Sequence, residues 1–175
     1  AFAAAYSLYG GLSAVAWTDI IQVIVLVFGG LVTTYLALDT VSGGQGFIDG
    51  LISIYNAVPE RFDMILERSN PEYMNLPGIG VLIGGMWVAN LYYWGFNQYI
   101  IQRTLAAKSL EESQKGILFA AGLKMIIPLI VVIPGIAAYV IVNDPVLLGS
   151  LGDAGLSNIP SSGNADKAYP WLMQF

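Results

Sequence analysis

The chain contains three long runs with almost no charge, and each is long enough to cross a bilayer. Residues 20–38 and 73–102 carry no charged side chain, and residues 116–143 carry only Lys124. As a helix at ~1.5 Å per residue, the shortest run would cover about 28 Å, close to one hydrocarbon core. The pattern predicts three transmembrane helices, and the apolar opening of the chain predicts the end of a fourth.

The charges between these runs set the direction of each predicted helix. The connection 102–115 contains three basic residues against two acids, whereas the connection 39–77 contains two against six. Short cytoplasmic connections are enriched in Lys and Arg, so the first of these is predicted to be cytoplasmic. The predicted segments are the end of a preceding helix with a cytoplasmic turn (1–11), an outward transmembrane helix (12–38), an extracytoplasmic loop with short helices (39–77), an inward transmembrane helix (78–101), a cytoplasmic loop (102–115), an outward transmembrane helix (116–142) and an extracytoplasmic loop (143–175).

Local patterns predict helices inside the loops. Apolar residues recur at helical spacing over 48–55, which predicts a short amphipathic helix. Pro59 predicts the first turn of a second one, "PERFDMILER". Ser109 with Glu112 three residues later forms the pattern of a capping box, which marks a helix start.

The composition supports a membrane protein and removes several kinds of chemistry. Charged residues make up 11% of the chain, less than half of the ~25% usual in soluble domains. The net charge of −5 argues against a nucleic-acid partner, which needs a basic surface. The chain has neither Cys nor His, so thiolate chemistry, disulfides and histidine-based catalytic or metal sites are excluded from it. We therefore expect no catalytic residue and no enzyme activity.

Lys124 lies in the middle of the third predicted helix. It follows Lys115 by nine residues, which places it about 13 Å deeper in a ~30 Å core. A central Lys costs at least ~2.5 kcal/mol on insertion scales, so it must face a partner or a cavity. Two interpretations follow: an ion pair inside the helix bundle, or a contact with a ligand.

A polar and aromatic face is predicted on the second helix, at about the same depth. Asn90, Tyr93, Trp94 and Asn97 follow the spacing i, i+3, i+4, i+7 of one helix face. Unpaired amides in hydrocarbon are costly, so this face is not expected to contact lipid. We expect Asn90 to contact a ligand and Asn97 to form a hydrogen bond between helices. Amide, ammonium and flat aromatic groups together suit a ligand with several hydroxyls.

Asp19 stands directly before the first apolar run, with Gln22 one turn later. One interpretation is a helix N-cap, a position that Asp favours. The other is a functional carboxylate at the cytoplasmic mouth of an outward helix, where it avoids the full cost of burial in lipid.

Three motifs resemble the sodium:solute symporter family. They are "YSLYGGLSAVAWTDIIQ", "NLYYWGFNQYIIQRTLAAKSLEESQKG" and "LKMIIPLIVVIPG", and the last two are similar to its sugar-transporting branch. The resemblance covers the whole chain and implies an all-α integral membrane fold with a five-plus-five inverted repeat, like that of the leucine transporter. The three predicted helices would be its fifth, sixth and seventh core helices. The ends of the chain suggest an internal piece of a larger protein, whose remaining helices would be partners.

The resemblance also implies a role for each candidate residue. Asn90 and Lys124 would contact sugar hydroxyls, and Tyr93 would be an inner gate that stacks on the sugar, with Trp94 beside it. Asp19 would line the cytoplasmic exit path of sodium. The family's main sodium ligands lie on helices outside this chain, so no metal ligand is expected within it.

The function implied is Na⁺-coupled uptake of a sugar of the galactose or glucose type by alternating access. The expected location is a bacterial inner membrane, with Na⁺ as the coupling ion and the lipid bilayer as surroundings. An alternative within the family is another solute, such as proline, myo-inositol, iodide or a vitamin. An alternative from another class is a membrane enzyme or a channel subunit, although no acid–base pair or filter segment is visible in the predicted spans.

Overall fold

The computed structural model of the chain describes residues 2–63, 65–74, 78–157 and 159–174. Every regular element in these ranges is helical. In chain order they are α1 (Phe2–Ser42), α2 (Phe47–Ala57), 3₁₀ turns at Pro59–Phe62 and Pro71–Met74, a π turn (Val81–Gly85), α3 (Met86–Gly95), α4 (Gln98–Leu105), α5 (Leu110–Asn143), α6 (Pro145–Ser150), α7 (Gly152–Leu156), a 3₁₀ turn at Ser162–Lys167 and α8 (Ala168–Leu172).

Two of the described helices, Gly10–Ser42 and Leu110–Asn143, are long and apolar enough to cross a membrane. The all-helical class is therefore confirmed. The region 78–101, expected as one helix, consists instead of the π turn, α3 and the start of α4. Its crossing of the membrane, and the sides assigned to the loops, stay predictions.

The chain divides into two compact units. One contains Ala1–Val58 and Lys124–Phe175, and the other contains Pro59–Leu123. The first unit thus holds α1, α2, α6 to α8 and the larger part of α5. The second holds the π turn, α3, α4 and the start of α5.

In the first unit, α1 is interrupted at Gly11, where φ is 58° and ψ is −154°. A positive φ of this kind is strained for residues with a Cβ, so glycine sets the position of the kink. The regular part of α1 begins after Gly11 and continues without a break to Ser42. The kink coincides with the predicted limit between the preceding helix and the first span.

A glycine-rich turn ends α1 and folds α2 back onto it. Gly43 and Gly44 have φ of 69° and 86°, and the Asp39 carboxylate accepts a hydrogen bond of 3.0 Å from the Gly46 amide. A Cβ on Gly50 of α2 would collide with the backbone carbonyl of Leu38, so only glycine permits this packing. The short helix expected over 48–55 is confirmed. The second, expected from Pro59, is reduced to a 3₁₀ turn, and Met64 within it lies outside the described residues.

Helices α1 and α5 meet at one buried point of the first unit. The Thr34 hydroxyl donates to the carbonyls of Gly30, at 2.8 Å, and of Leu129 on α5, at 3.0 Å. A Cβ on Gly30 would collide with the side chain of Ile130, which is 3% exposed. Pro134, also buried, lacks the N–H that would bond the Ile130 carbonyl, yet α5 stays helical through it. The contact therefore combines close backbone approach with an interhelical hydrogen bond.

The end of the chain folds against itself in the same unit. Asp144 caps α6, with its Oδ1 accepting from the amides of Val146, at 2.8 Å, and Leu147, at 3.3 Å. Trp171 on α8 is 1% exposed, and its indole N–H donates to the Gly155 carbonyl at 3.1 Å. The predicted loop 143–175 is thus a compact helical segment.

In the second unit, the start of α5 follows the predicted capping pattern. The Glu112 amide donates to the Ser109 hydroxyl at 3.2 Å, which confirms the expected cap. Lys115 pairs with Glu111 at 2.8 Å and Glu112 at 3.7 Å, but all three side chains are more than half exposed. Exposed pairs of this kind contribute little to stability, so the helix start depends mainly on the cap.

Gly30→Ala is expected to destabilise the protein, because the added methyl group meets Ile130 at the α1–α5 contact. Overpacking of this kind costs ~1–3 kcal/mol. The measurement is the thermal midpoint of the purified protein. The matched control is Gly29→Ala on the same helix, where a Cβ meets nothing within 4 Å. An equal midpoint for the two variants would show that Gly30 is not a packing constraint.

Candidate functional site

The structure keeps Asn90, Tyr93 and Trp94 together on α3. Tyr93 and Trp94 pack edge to face, with ring centroids 5.5 Å apart and an interplanar angle of 85°. An aromatic pair of this geometry is worth ~0.5–1.5 kcal/mol beyond area burial, so each ring restricts the orientation of the other. Tyr93 stays 41% exposed, which leaves part of its surface available for contact.

The Asn90 side chain is oriented by its own helix. Its Nδ2 donates to the Met86 carbonyl, one turn earlier, at 2.8 Å. This bond turns the amide nitrogen toward the helix backbone and does not involve the Oδ1 oxygen or the second N–H of the amide. Asn90 therefore offers a hydrogen-bond acceptor to a ligand, which suits a hydroxyl donor.

Asn97 does not share this face, which corrects the expectation from the sequence. α3 ends at Gly95, and Asn97 is extended, with φ of −73° and ψ of 112°. Its Oδ1 accepts a hydrogen bond of 3.0 Å from the Tyr99 amide, so Asn97 is the N-cap of α4. The i+7 relation to Asn90 holds only in a continuous helix, which the structure does not have here. A capping role replaces the expected hydrogen bond between helices.

Asp19 lies inside α1, eight residues after the kink at Gly11. The interpretation of Asp19 as an N-cap is therefore wrong, because the helix begins well before it. The side chain is partly buried, and its Oδ2 atom is shielded from solvent. The Asp19 carboxylate thus lies on the side of α1 and does not cap the helix.

Lys124 belongs to the same unit as Asp19. It lies on α5 four residues before Pro128, and its side chain is exposed. Pro128 has no N–H to bond the Lys124 carbonyl, so the helix is locally weakened at this residue. The structure thus groups the candidates as Asn90, Tyr93 and Trp94 in one unit and Asp19 and Lys124 in the other.

Within the described ranges, no three Asp, Glu, Cys or His side chains come together as a metal site. Asp19 supplies the kind of oxygen ligand that hard cations prefer, but a single carboxylate falls short of a coordination shell. The carboxylate suits a transient contact with a cation better than a permanent site.

Two features of the structure were not predicted from the sequence. The first is the Thr34 bond to α5, because a hydroxyl in an apolar helix usually bonds its own i−4 carbonyl. The second is the π turn at Val81–Gly85, before the residues of α3. Its only signal in the sequence is the pair Gly84 and Gly85, which fits close packing equally well.

Two long apolar helices, with polar and aromatic side chains on a short helix between them in the chain, are typical of an all-helical membrane protein. The chain belongs to the sodium:solute symporter family, whose model matches residues 1–175.

The chain is similar to three kinds of known protein. It is 66% identical over 174 residues to the sodium/glucose cotransporter of Vibrio parahaemolyticus, covering 99% of this chain and 32% of the relative. It is 40% identical over 168 residues to the uncharacterized symporter YidK of Escherichia coli K12, covering 96% and 25%. It is 33% identical over 181 residues to the human sodium/myo-inositol cotransporter 2, covering 99% and 27%. The chain thus spans about a third or less of the length of these relatives.

Proposed function

We propose that the whole protein couples inward movement of Na⁺ to uptake of a sugar of the galactose or glucose type. The observation that carries this proposal is the 66% identity over 174 residues with a sodium/glucose cotransporter. The protein would lie in a bacterial inner membrane, as a multi-pass carrier. Sodium would favour the outward-open state only as far as its affinity differs between the two states.

We propose that the complete fold is a five-plus-five inverted repeat, with α1, the π turn through α4, and α5 as its fifth, sixth and seventh core helices. The Lys- and Arg-rich connection 102–115 would then be cytoplasmic. In folds of this kind, solute and coupling ions bind near the midplane where helices are discontinuous. The irregular backbone on both sides of α3 supports this assignment.

The proposed sugar contacts are Asn90 and Lys124. The Asn90 Oδ1 would accept from a sugar hydroxyl, while its Nδ2 donates one of its two N–H groups to the Met86 carbonyl. The Lys124 ammonium would donate to another hydroxyl. A ligand with hydroxyls serves both groups, because each hydroxyl donates one hydrogen bond and accepts others.

The proposed inner gate is Tyr93, supported by Trp94. Because the second span is predicted to run inward, Tyr93 lies one turn closer to the cytoplasm than Asn90. A sugar held by Asn90 would meet the Tyr93 ring before it could leave. The edge-to-face contact with Trp94 supports this role, since it holds the ring in one orientation.

Asp19 is proposed to act on sodium rather than on sugar. It lies near the cytoplasmic end of the predicted outward span, with one carboxylate oxygen shielded from solvent. Its place inside α1, away from a helix end, is compatible with this role.

A second candidate solute is myo-inositol. The 33% identity with a sodium/myo-inositol cotransporter favours it, and a cyclic polyol would use the same hydroxyl contacts. A hexose has an oxygen in its ring and myo-inositol does not. The solute that inhibits uptake of the other at the lower concentration is the preferred one.

Uptake of labelled galactose, glucose and myo-inositol into proteoliposomes of the full-length protein tests the function. We expect concentrative uptake of one hexose when an inward Na⁺ gradient is present. The control replaces Na⁺ by K⁺ at equal ionic strength. Uptake that is equal in the two gradients would exclude sodium coupling, and preference for myo-inositol would select the second candidate.

Tyr93→Ala is expected to reduce sugar uptake, whereas Tyr93→Phe keeps the ring and most of the activity. Loss of an aromatic contact worth ~0.5–1.5 kcal/mol corresponds to about two- to twelvefold. Tyr92→Ala is the matched control, because Tyr92 is the neighbouring exposed tyrosine on a different face of α3. Normal uptake by Tyr93→Ala would remove the gate role.

Asp19→Asn is expected to weaken the activation of uptake by Na⁺ by about fivefold or more, because a unit charge at 4 Å is worth ~1 kcal/mol even in water. The concentration of Na⁺ at half-maximal uptake is measured at saturating sugar. Asp39→Asn on the same helix is the control, since the amide oxygen can still accept from the Gly46 amide. The sodium role is contradicted by equal Na⁺ activation in wild type and Asp19→Asn.

A further inference from the structure

Helix α3 is short and has irregular backbone at both ends. On one side is the π turn, where the Met86 amide bonds the Val81 carbonyl five residues earlier. On the other side, the chain leaves helical geometry at Phe96, with φ of −128°, and at Asn97. The ten residues of α3, which carry Asn90, Tyr93 and Trp94, thus continue from the π turn without a break and end before Asn97. The break at Asn97 contains no proline, so it depends on hydrogen bonds that another arrangement could replace.

At the break near Asn97, two acceptors compete for the Tyr99 amide hydrogen: the Gly95 carbonyl and the Asn97 side chain. In a continuous helix, the Tyr99 amide would bond the Gly95 carbonyl, four residues earlier. In the structure, the Asn97 Oδ1 takes this amide at 3.0 Å. The amides of Ile100 and Ile101 bond the Asn97 carbonyl, at 3.1 and 3.0 Å, and so begin α4. The side chain of Asn97 therefore decides between two short helices and one long one.

Helix α4 also has stabilising contacts within itself. It has eight residues, which is too short to be stable from backbone hydrogen bonds alone. The Arg103 guanidinium lies 3.7 Å from the centre of the Tyr99 ring, one turn apart along the helix. Arg103 also lies in the last turn, where a positive charge favours the helix dipole. The cap and this cation–π contact fix both ends of α4.

We infer that Asn97 is a positioning residue for the Tyr93–Trp94 pair: by capping α4, it ends α3 directly after the pair. The pair then lies in the last turn of α3, where the helix can tilt without moving α4. Loss of the side-chain acceptor would join α3 and α4 into one helix and couple the pair to the connection 102–115. The expected effect on sugar uptake rests on the proposed function. The expected joining of α3 and α4 does not.

The structural test is a spin-label distance in the full-length protein, with labels at Val88 on α3 and Gln102 on α4, both exposed. A continuous helix would separate the two backbones by ~21 Å along its axis. We expect Asn97→Ala to give the distance of a continuous helix. Asn97→Asp keeps an acceptor and is expected to retain the wild-type distance. Equal distances in wild type and Asn97→Ala, or a shift in Asn97→Asp as large as in Asn97→Ala, would overturn the inference.

The functional test is uptake kinetics of the same variants. We expect Asn97→Ala to reduce the maximal rate about five- to tenfold, the population change that loss of one helix cap produces. The sugar concentration at half-maximal rate is expected to change less than the rate, because Asn97 does not contact the sugar. Asn97→Asp is expected to restore the rate. A distance shift with an unchanged rate would overturn the positioning role, whereas absence of Na⁺-dependent uptake in wild type would refute the proposed function and leave the distance test valid.

Discussion

The closest described contact between α1 and α5 combines a glycine with a hydroxyl. Gly30 lets the side chain of Ile130 approach the α1 backbone, and Thr34 then reaches the Leu129 carbonyl. In an apolar environment no water is available to replace this bond, so the partner on α5 must be within reach. The contact fixes the register of the two helices at this point, on the same helices that carry Asp19 and Lys124.

A break in a helix within a membrane exposes backbone groups that must find other partners. At Gly95–Gln98, in the segment predicted to be the second span, the Asn97 side chain supplies such a partner, because its Oδ1 accepts from the Tyr99 amide. An apolar side chain at position 97 would leave that amide to the Gly95 carbonyl, and the helix would continue. The polar side chain of Asn97 is thus explained by its bond to the backbone amide of Tyr99, without a ligand.

The uncharged runs predicted α1 and α5, and spacing predicted α2 and the Ser109 cap, because each is determined by local sequence. The break at Asn97 could not be predicted in this way, since the apolar pattern over 78–101 fits a continuous helix equally well. The capping interpretation of Asp19 was wrong for a related reason. It assumed that α1 begins where the apolar run begins, whereas the helix begins at the kink set by Gly11. Spacing identified Asn90, Tyr93 and Trp94 as one group, because they lie within one uninterrupted helix.

Helices α5 and α3 differ in how proline content relates to helix length. α5 contains Pro128 and Pro134 and remains one helix of 34 residues, with Pro134 buried and its neighbours packed. α3 contains no proline and yet ends after 10 residues. A proline defect is permanent, because the missing N–H cannot be restored. The break after α3 includes one side-chain hydrogen bond, from the Tyr99 amide to the Asn97 Oδ1, which a bond to the Gly95 carbonyl can replace. Under the proposed carrier function, a helix end held by a replaceable hydrogen bond suits an element that moves, whereas a permanent proline defect suits a helix that supports it.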